Sequence, residues 1–215
     1  MFRVRGKVIP VTLEDIHIGV RFEDGTEIVG EKYIDISEKN PFERAHNPSL
    51  AITEAFLTGP GRLNPRAREA IMNSDYIIIG PGDLYTSIVP NLLCEGMRET
   101  LALSPAKIVY ICNAMTKYGE TTNFAAEDFV RVIEQYTGDR LDYVVVNSAE
   151  VAPDVAELYE RTEKKIPLRI RDRTSFAGRR PTLVERDLVN ATDVVRHDPD
   201  KLYSLIVDIV DGWIK

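Results

Sequence analysis

The chain has 215 residues, 44% of them hydrophobic and 28% charged, with a formal net charge of −7. That length supports one hydrophobic core and that composition a soluble globular protein. No apolar run reaches the length of a membrane span, and the acidic balance disfavours a general nucleic-acid binder. Two cysteines, Cys94 and Cys112, cannot build a disulfide framework, and residues 1–5 carry no secretory pattern, so a cytoplasmic compartment is expected. His17, His46 and His197 are scattered, which argues against structural zinc.

Residues 1–40 read as β-rich. Val4, Gly6, Val8 and Pro10 alternate with Arg5, Lys7 and Ile9, and Ile16, Ile18, Val20 and Phe22 alternate with His17, Gly19 and Arg21. Asp24-Gly25 predicts a hairpin turn into residues 26–30. Mixed signals from Lys39 to Gly61 predict a crossover with one short strand over 50–56. Asn64-Pro65 predicts a helix start, with a capping residue followed by proline, and the helix runs to Asn73. Three apolar runs follow: 76–79, 107–111 and 142–146. Runs of this kind suit strands buried on both faces. Helical patterns lie between them, over 90–103 and 124–136, and two more cover 153–164 and 198–214. The alternation predicts an α/β fold: a Rossmann-like three-layer sandwich on a mostly parallel sheet over 64–215, with an amino-terminal β-hairpin, in one domain spanning 1–215.

Open parallel sheets bind ligands beyond the carboxyl ends of their strands. The loops there read Gly80-Pro81-Gly82-Asp83-Leu84-Tyr85-Thr86-Ser87, then residues 112–121 starting Cys112-Asn113-Ala114-Met115-Thr116, then Asn147-Ser148-Ala149-Glu150. Glycine lets backbone N–H groups approach an anion, and Thr86 and Ser87 can donate hydroxyls to phosphate. Equally, Gly80 and Gly82 can simply turn the chain, and Ser87 can cap a helix.

The run from Ile79 to Leu93 resembles the signature of the CofD-like superfamily in its gluconeogenesis-factor branch. Val109 to Thr116 with Gly119-Glu120-Thr121, Val146-Asn147-Ser148, and Val195-Arg196-His197-Asp198 are similar to its further blocks, and Arg5-Gly6-Lys7-Val8-Ile9-Pro10 and Glu23-Asp24-Gly25 fit the branch as well. The resemblance implies a Rossmann-like fold and a diphosphate ligand, UDP-N-acetylglucosamine, bound by a regulatory protein of carbon metabolism and of cell shape through peptidoglycan synthesis. With the crevice loops it implies ligand contacts from Gly80, Gly82, Asp83, Leu84, Thr86, Ser87, Asn113, Met115, Thr116, Tyr159 and Arg196. Tyr159 and Arg196 are carried over as the residues that hold the UDP-sugar. The sister branch transfers a phospholactyl group with magnesium, for which Asp83, Glu120 and Glu150 are the available ligands here. No other cofactor is implied.

Departures from the family pattern also carry expectations. The family's glycine-rich first strand and its Asp-Asp-Gly-Gly motif are absent before Arg5-Gly6-Lys7. The chain is therefore expected to lack the family's amino-terminal third and to meet a second copy or a partner chain that supplies strands. Asp128-Phe129 stands where relatives often have Asp-His, and Pro199 where some have threonine.

Single residues admit plainer readings. Arg196 is a phosphate fork or a surface ion pair. Asn113 reads a base or ribose, or steadies its loop. His197 and Cys112 read as structural, and Asp198 with Pro199 as the cap of the last helix. Residues 164–186 hold eight Lys/Arg against two Asp/Glu. If 168–174 is extended, Arg169, Arg171 and Arg173 share a face, most simply a solvated one. A nicotinamide dehydrogenase is disfavoured, because no G-x-G-x-x-G follows a strand.

Overall fold

The computed structural model describes residues 6–35, 46–190 and 195–214. Strand β1 (Ile18–Phe22) turns at Asp24-Gly25 into β2 (Glu27–Val29). The Asp24 carboxylate accepts from Thr26 N (2.9 Å), and Gly25 takes the left-handed φ of 86° that this turn needs. Helix α1 (Glu31–Ile34) follows, and β3 (Ile52–Leu57) pairs antiparallel with the other edge of β1, giving the order β2-β1-β3. The alternation expected from Val4 makes no strand over residues 6–10. Residues 6–10 are irregular and Val8 is 95% exposed, while residues 1–5 lie outside the described residues. Pro10 has no N–H for a ladder, and its carbonyl accepts instead from Asn64 Nδ2 (2.9 Å).

Asn64 and Pro65 open α2 (Pro65–Met72), with Asn64 Oδ1 accepting from Arg66 N at 3.0 Å. Strand β4 (Tyr76–Ile79) leads through a π-helical turn (Leu84–Ile88) into α3 (Val89–Leu92) and α4 (Met97–Leu103). The single helix expected over 90–103 is thus two. Glu95 N donates to Gly61 O and Glu95 O accepts from Leu63 N, both at 3.0 Å. Gly96, at φ 88°, reverses the chain between the two helices. Strand β5 (Lys107–Ile111), α5 (Ala126–Thr137), β6 (Tyr143–Asn147) and α6 (Pro153–Glu163) continue the expected alternation.

Strand β7 (Thr182–Arg186), which the sequence reading did not foresee, pairs parallel with β6. Ahead of it, 168–174 is not one extended face. Asp172 caps a 3-10 turn (Arg173–Phe176), Arg171 pairs with Asp128 (3.1 Å), and Arg173 forks onto Glu185 (2.7 Å). A two-stranded ribbon, β8 (Val189–Asn190) with β9 (Arg196–His197), precedes α7 (Pro199–Val210). As expected, Asp198 caps α7, accepting from the backbone N–H groups of Asp200 and Lys201.

The main sheet runs β4-β5-β6-β7, all parallel. Successive side chains leave a strand on opposite faces, so β5 and β6 serve two cores. Ile108, Tyr110, Cys112, Val144 and Val146 pack with Phe129 and Ile133 of α5, and with Val20 and Phe22 of the small sheet. Val109, Ile111, Tyr143 and Val145 pack with Leu205 and Ile209 of α7. This gives the three-layer α/β architecture. β4 departs from the expectation of burial on both faces. It lies at the end of the sheet, and Ile78 is 45% exposed. No helix among the described residues is long and apolar enough to cross a membrane.

Candidate functional site

Beyond the carboxyl ends of β4 and β5 lies a cleft of about 640 Å³. One wall is the loop at Pro81–Asp83 and another the loop at Asn113–Lys117. Tyr159, Glu163 and Lys165 from the end of α6, and Val195–His197 around β9, close it. Gly80 sets how near the first two walls come. At its φ of +80°, a Cβ would sit 2.9 Å from Ile111 O, at the end of β5. The walls are then joined by Asn113 Nδ2, which donates to Gly82 O at 2.9 Å.

The floor carries a compact charge cluster. Lys117 Nζ lies 2.6 Å from Asp83, 3.0 Å from Glu120 and 3.0 Å from Asp35 at the end of α1. Glu120 is fully buried, and burial pushes its carboxyl up to about 7. Lys117 pulls it back in part, and the nearby Asp83 and Asp35 charges add to the rise. Burial disfavours the Lys117 charge, but the attraction of Glu120 and Asp83 outweighs it and holds the ammonium charged well above its ordinary range. The buried Thr86 hydroxyl is 3.5 Å from the Glu120 carboxylate, at the limit of a hydrogen bond.

The cleft gathers seven of the eleven predicted ligand residues: Gly82, Asp83, Asn113, Met115, Thr116, Tyr159 and Arg196. Their local roles differ. Thr116 is buried and braces the 166 segment, its N–H donating to Ile166 O and its hydroxyl accepting from Ile166 N. Tyr159 accepts from Val195 N at 3.2 Å through its hydroxyl, fixing the approach to β9. Arg196 is exposed and has no ion-pair partner among the described residues. The other four lie outside the lining. Gly80 is at the close approach to β5, Leu84 is 1% exposed in the core, Thr86 points to Glu120, and Ser87 is exposed on the π-helical turn. Cys112 is fully buried at the end of β5, where burial pushes its thiol far above the usual range, so it is inert as a nucleophile.

Sequence reasoning passed over Lys117 and Lys165. Lys117 stands three residues before Glu120 in a crevice loop, and that spacing was the available signal. The proposed magnesium ligands are not brought together. Asp83 and Glu120 share the Lys117 ammonium at bonding distance, and Glu150 is exposed and outside the cleft lining. Among the described residues no group of three metal-ligating side chains is placed to hold an ion. As placed, the Asp83 and Glu120 carboxylates are engaged by Lys117 rather than free to hold a cation.

A family model described as 2-phospho-L-lactate transferase CofD matches residues 1–189. The putative gluconeogenesis factor of Thermotoga maritima is 34% identical over 98% of this chain and 64% of its own length. The gluconeogenesis factor of Bacillus subtilis is likewise 34% identical, over 98% of this chain and 63% of its own. A crystal structure of a UPF0052-family protein from Bacillus halodurans superposes with a TM-score of 0.83 at 33% identity, covering 95% of this chain and 62% of that one. The chain thus spans less than two thirds of the length of each of these relatives. The family model over most of the chain and the identity to these relatives show that the chain belongs to the CofD/UPF0052 family, among relatives named gluconeogenesis factors.

Proposed function

We propose that the cleft takes a UDP-sugar, UDP-N-acetylglucosamine, and that the protein acts in the cytoplasm as a ligand-responsive regulator of carbon metabolism and cell shape rather than as a catalyst. The observation that carries this reading is Arg196. It is the one cationic residue of the lining without an ion pair among the described residues, and it faces the same hollow as Tyr159 and the β5 loop. A guanidinium fork suits the oxygens of a diphosphate. Calorimetry on the purified chain should show UDP-N-acetylglucosamine bound in preference to NAD. Arg196→Ala should weaken that binding about tenfold or more with an unchanged melting curve. Binding of NAD with no response to UDP-sugars would refute the reading.

The edge of β4 bears on affinity. A half-exposed apolar edge strand invites another strand. We propose that the chain associates with itself or with a partner that extends this sheet, and that alone it binds the ligand weakly. Light scattering should report species heavier than one 24.3 kDa chain, reduced by Ile78→Lys. A monomer with micromolar affinity would count against both statements. The description of the family model favours a second reading, transfer of a phosphorus-containing group. It requires magnesium-dependent turnover, and the Lys117 cluster disfavours it.

A further inference from the structure

Three asparagines of this fold sit at element ends with their amides turned inward, and two have both the amide nitrogen and the amide oxygen hydrogen-bonded. Asn64 donates to Pro10 O and accepts from Arg66 N. Asn147 donates to Ala149 O (2.9 Å) and accepts from Ala149 N (3.3 Å) and Leu188 N (2.9 Å). Asn113 is different. Its Nδ2 donates to Gly82 O at 2.9 Å, but its Oδ1 is buried and receives no hydrogen bond. The orientation follows from chemistry. The Gly82 carbonyl can only accept, so the amide atom facing it is the NH2 group and the oxygen faces away. Buried polar atoms are nearly always paired, and an unpaired one calls for a missing partner. Five such atoms occur among the described residues, and two of them, Asn113 Oδ1 and His197 Nε2, belong to residues lining this cleft.

We infer that Asn113 Oδ1 is a specificity-determining acceptor for an uncharged N–H or O–H donor of the ligand, on its base edge or sugar ring. This rests on the UDP-sugar reading of the cleft and adds how the ligand is oriented. The diphosphate cannot be the partner of Asn113 Oδ1, because phosphate oxygens also accept and would repel it. Nor does Lys117 draw phosphate to the β5 loop, since three carboxylates already hold its ammonium. The phosphates therefore lie toward Arg196, and the neutral donor toward Asn113.

The test is an NMR titration of the 215-residue chain, first with UDP-N-acetylglucosamine and separately with inorganic pyrophosphate. The Asn113 side-chain amide signal should move with the UDP-sugar and stay still with pyrophosphate. Asn113→Ala should weaken UDP-sugar binding about tenfold and leave pyrophosphate binding unchanged. Arg196→Ala should weaken both ligands. Equal losses for both ligands in Asn113→Ala would mean that the residue only steadies Gly82, and would overturn the inference. Unchanged UDP-sugar affinity would overturn it as well while leaving the functional reading intact. No response of the wild-type chain to millimolar UDP-sugar would overturn the functional reading and this inference together.

Discussion

The loops that follow β5 and β6 leave neighbouring parallel strands, each through an asparagine, and each looks in sequence like a small polar ligand loop. The structure gives them opposite tasks. After β6, Asn147 spends its amide on Ala149 and Leu188 and so ties the sheet to the segment after β7. Glu150 points to solvent outside the cleft lining. After β5, Asn113 keeps an unpaired oxygen, and Lys117 and Glu120 carry charge into a buried floor. Complete pairing marks the β6 loop as a stabilising element. Incomplete pairing and buried charge set the β5 loop apart as the one that, under the proposed reading, a ligand would meet.

The sharpest way to break this contrast is Lys117→Met. It leaves the buried Glu120 carboxylate with Asp83 and Asp35 and no countercharge, and should cost about 3–5 kcal/mol in urea denaturation at mildly alkaline pH. A loss below about 1 kcal/mol would show that the cluster behaves like an ordinary surface ion pair. Asn147→Ala comes next, at about 1–3 kcal/mol, because it leaves the part-buried backbone N–H groups of Ala149 and Leu188 without their acceptor. Asn113→Ala removes one bond to Gly82 O and should cost about 0.5–1.5 kcal/mol, so its main effect falls on binding. If the two asparagine variants lose the same stability, the division of labour fails.

The pH dependence is a smaller effect. Glu120 titrates near 7 in the fold, above its ordinary 4.5. The folded state therefore binds more protons than the unfolded state between those values, and stability falls as pH rises. The contribution is complete below about 4.5 and is lost as pH passes through about 7. Glu120→Gln should flatten the stability profile over that window, and a profile of unchanged slope would place the titration elsewhere. Smallest of all, Glu150→Ala in the β6 loop should stay within about 0.5 kcal/mol of wild type.

Strand β7 shows where local signals end. In Thr182–Arg186 only Val184 is buried, so no apolar run announces the strand, and its existence rests on the ladder offered by β6. β4 shows the converse. Tyr76–Ile79 carries as strong an apolar run as β5, yet Ile78 is half exposed, because side-chain chemistry does not encode the position of a strand in its sheet. The break between α3 and α4 is likewise a matter of neighbours. Residues 61–63 hydrogen-bond the backbone of Glu95 and halt a helix that the periodicity would have carried through.

Taken by itself, the order of residues determined the elements whose signals are local. The Asp24-Gly25 hairpin, the caps at Asn64 and Asp198 with their following prolines, the doubly buried β5 and β6, and the polar loops at their carboxyl ends all depend on dihedral preference, capping or hydrophobicity within a few positions. Tertiary structure alone decided which of those loops share a cleft, which asparagine is left with a free acceptor, and which cation is neutralised. Asp35, Asp83, Lys117 and Glu120 come from three separate parts of the chain. Asn113 meets Gly82 across 31 positions of sequence. The strength of a charge or a hydrogen bond depends on distance and burial, and those are properties of the packed fold.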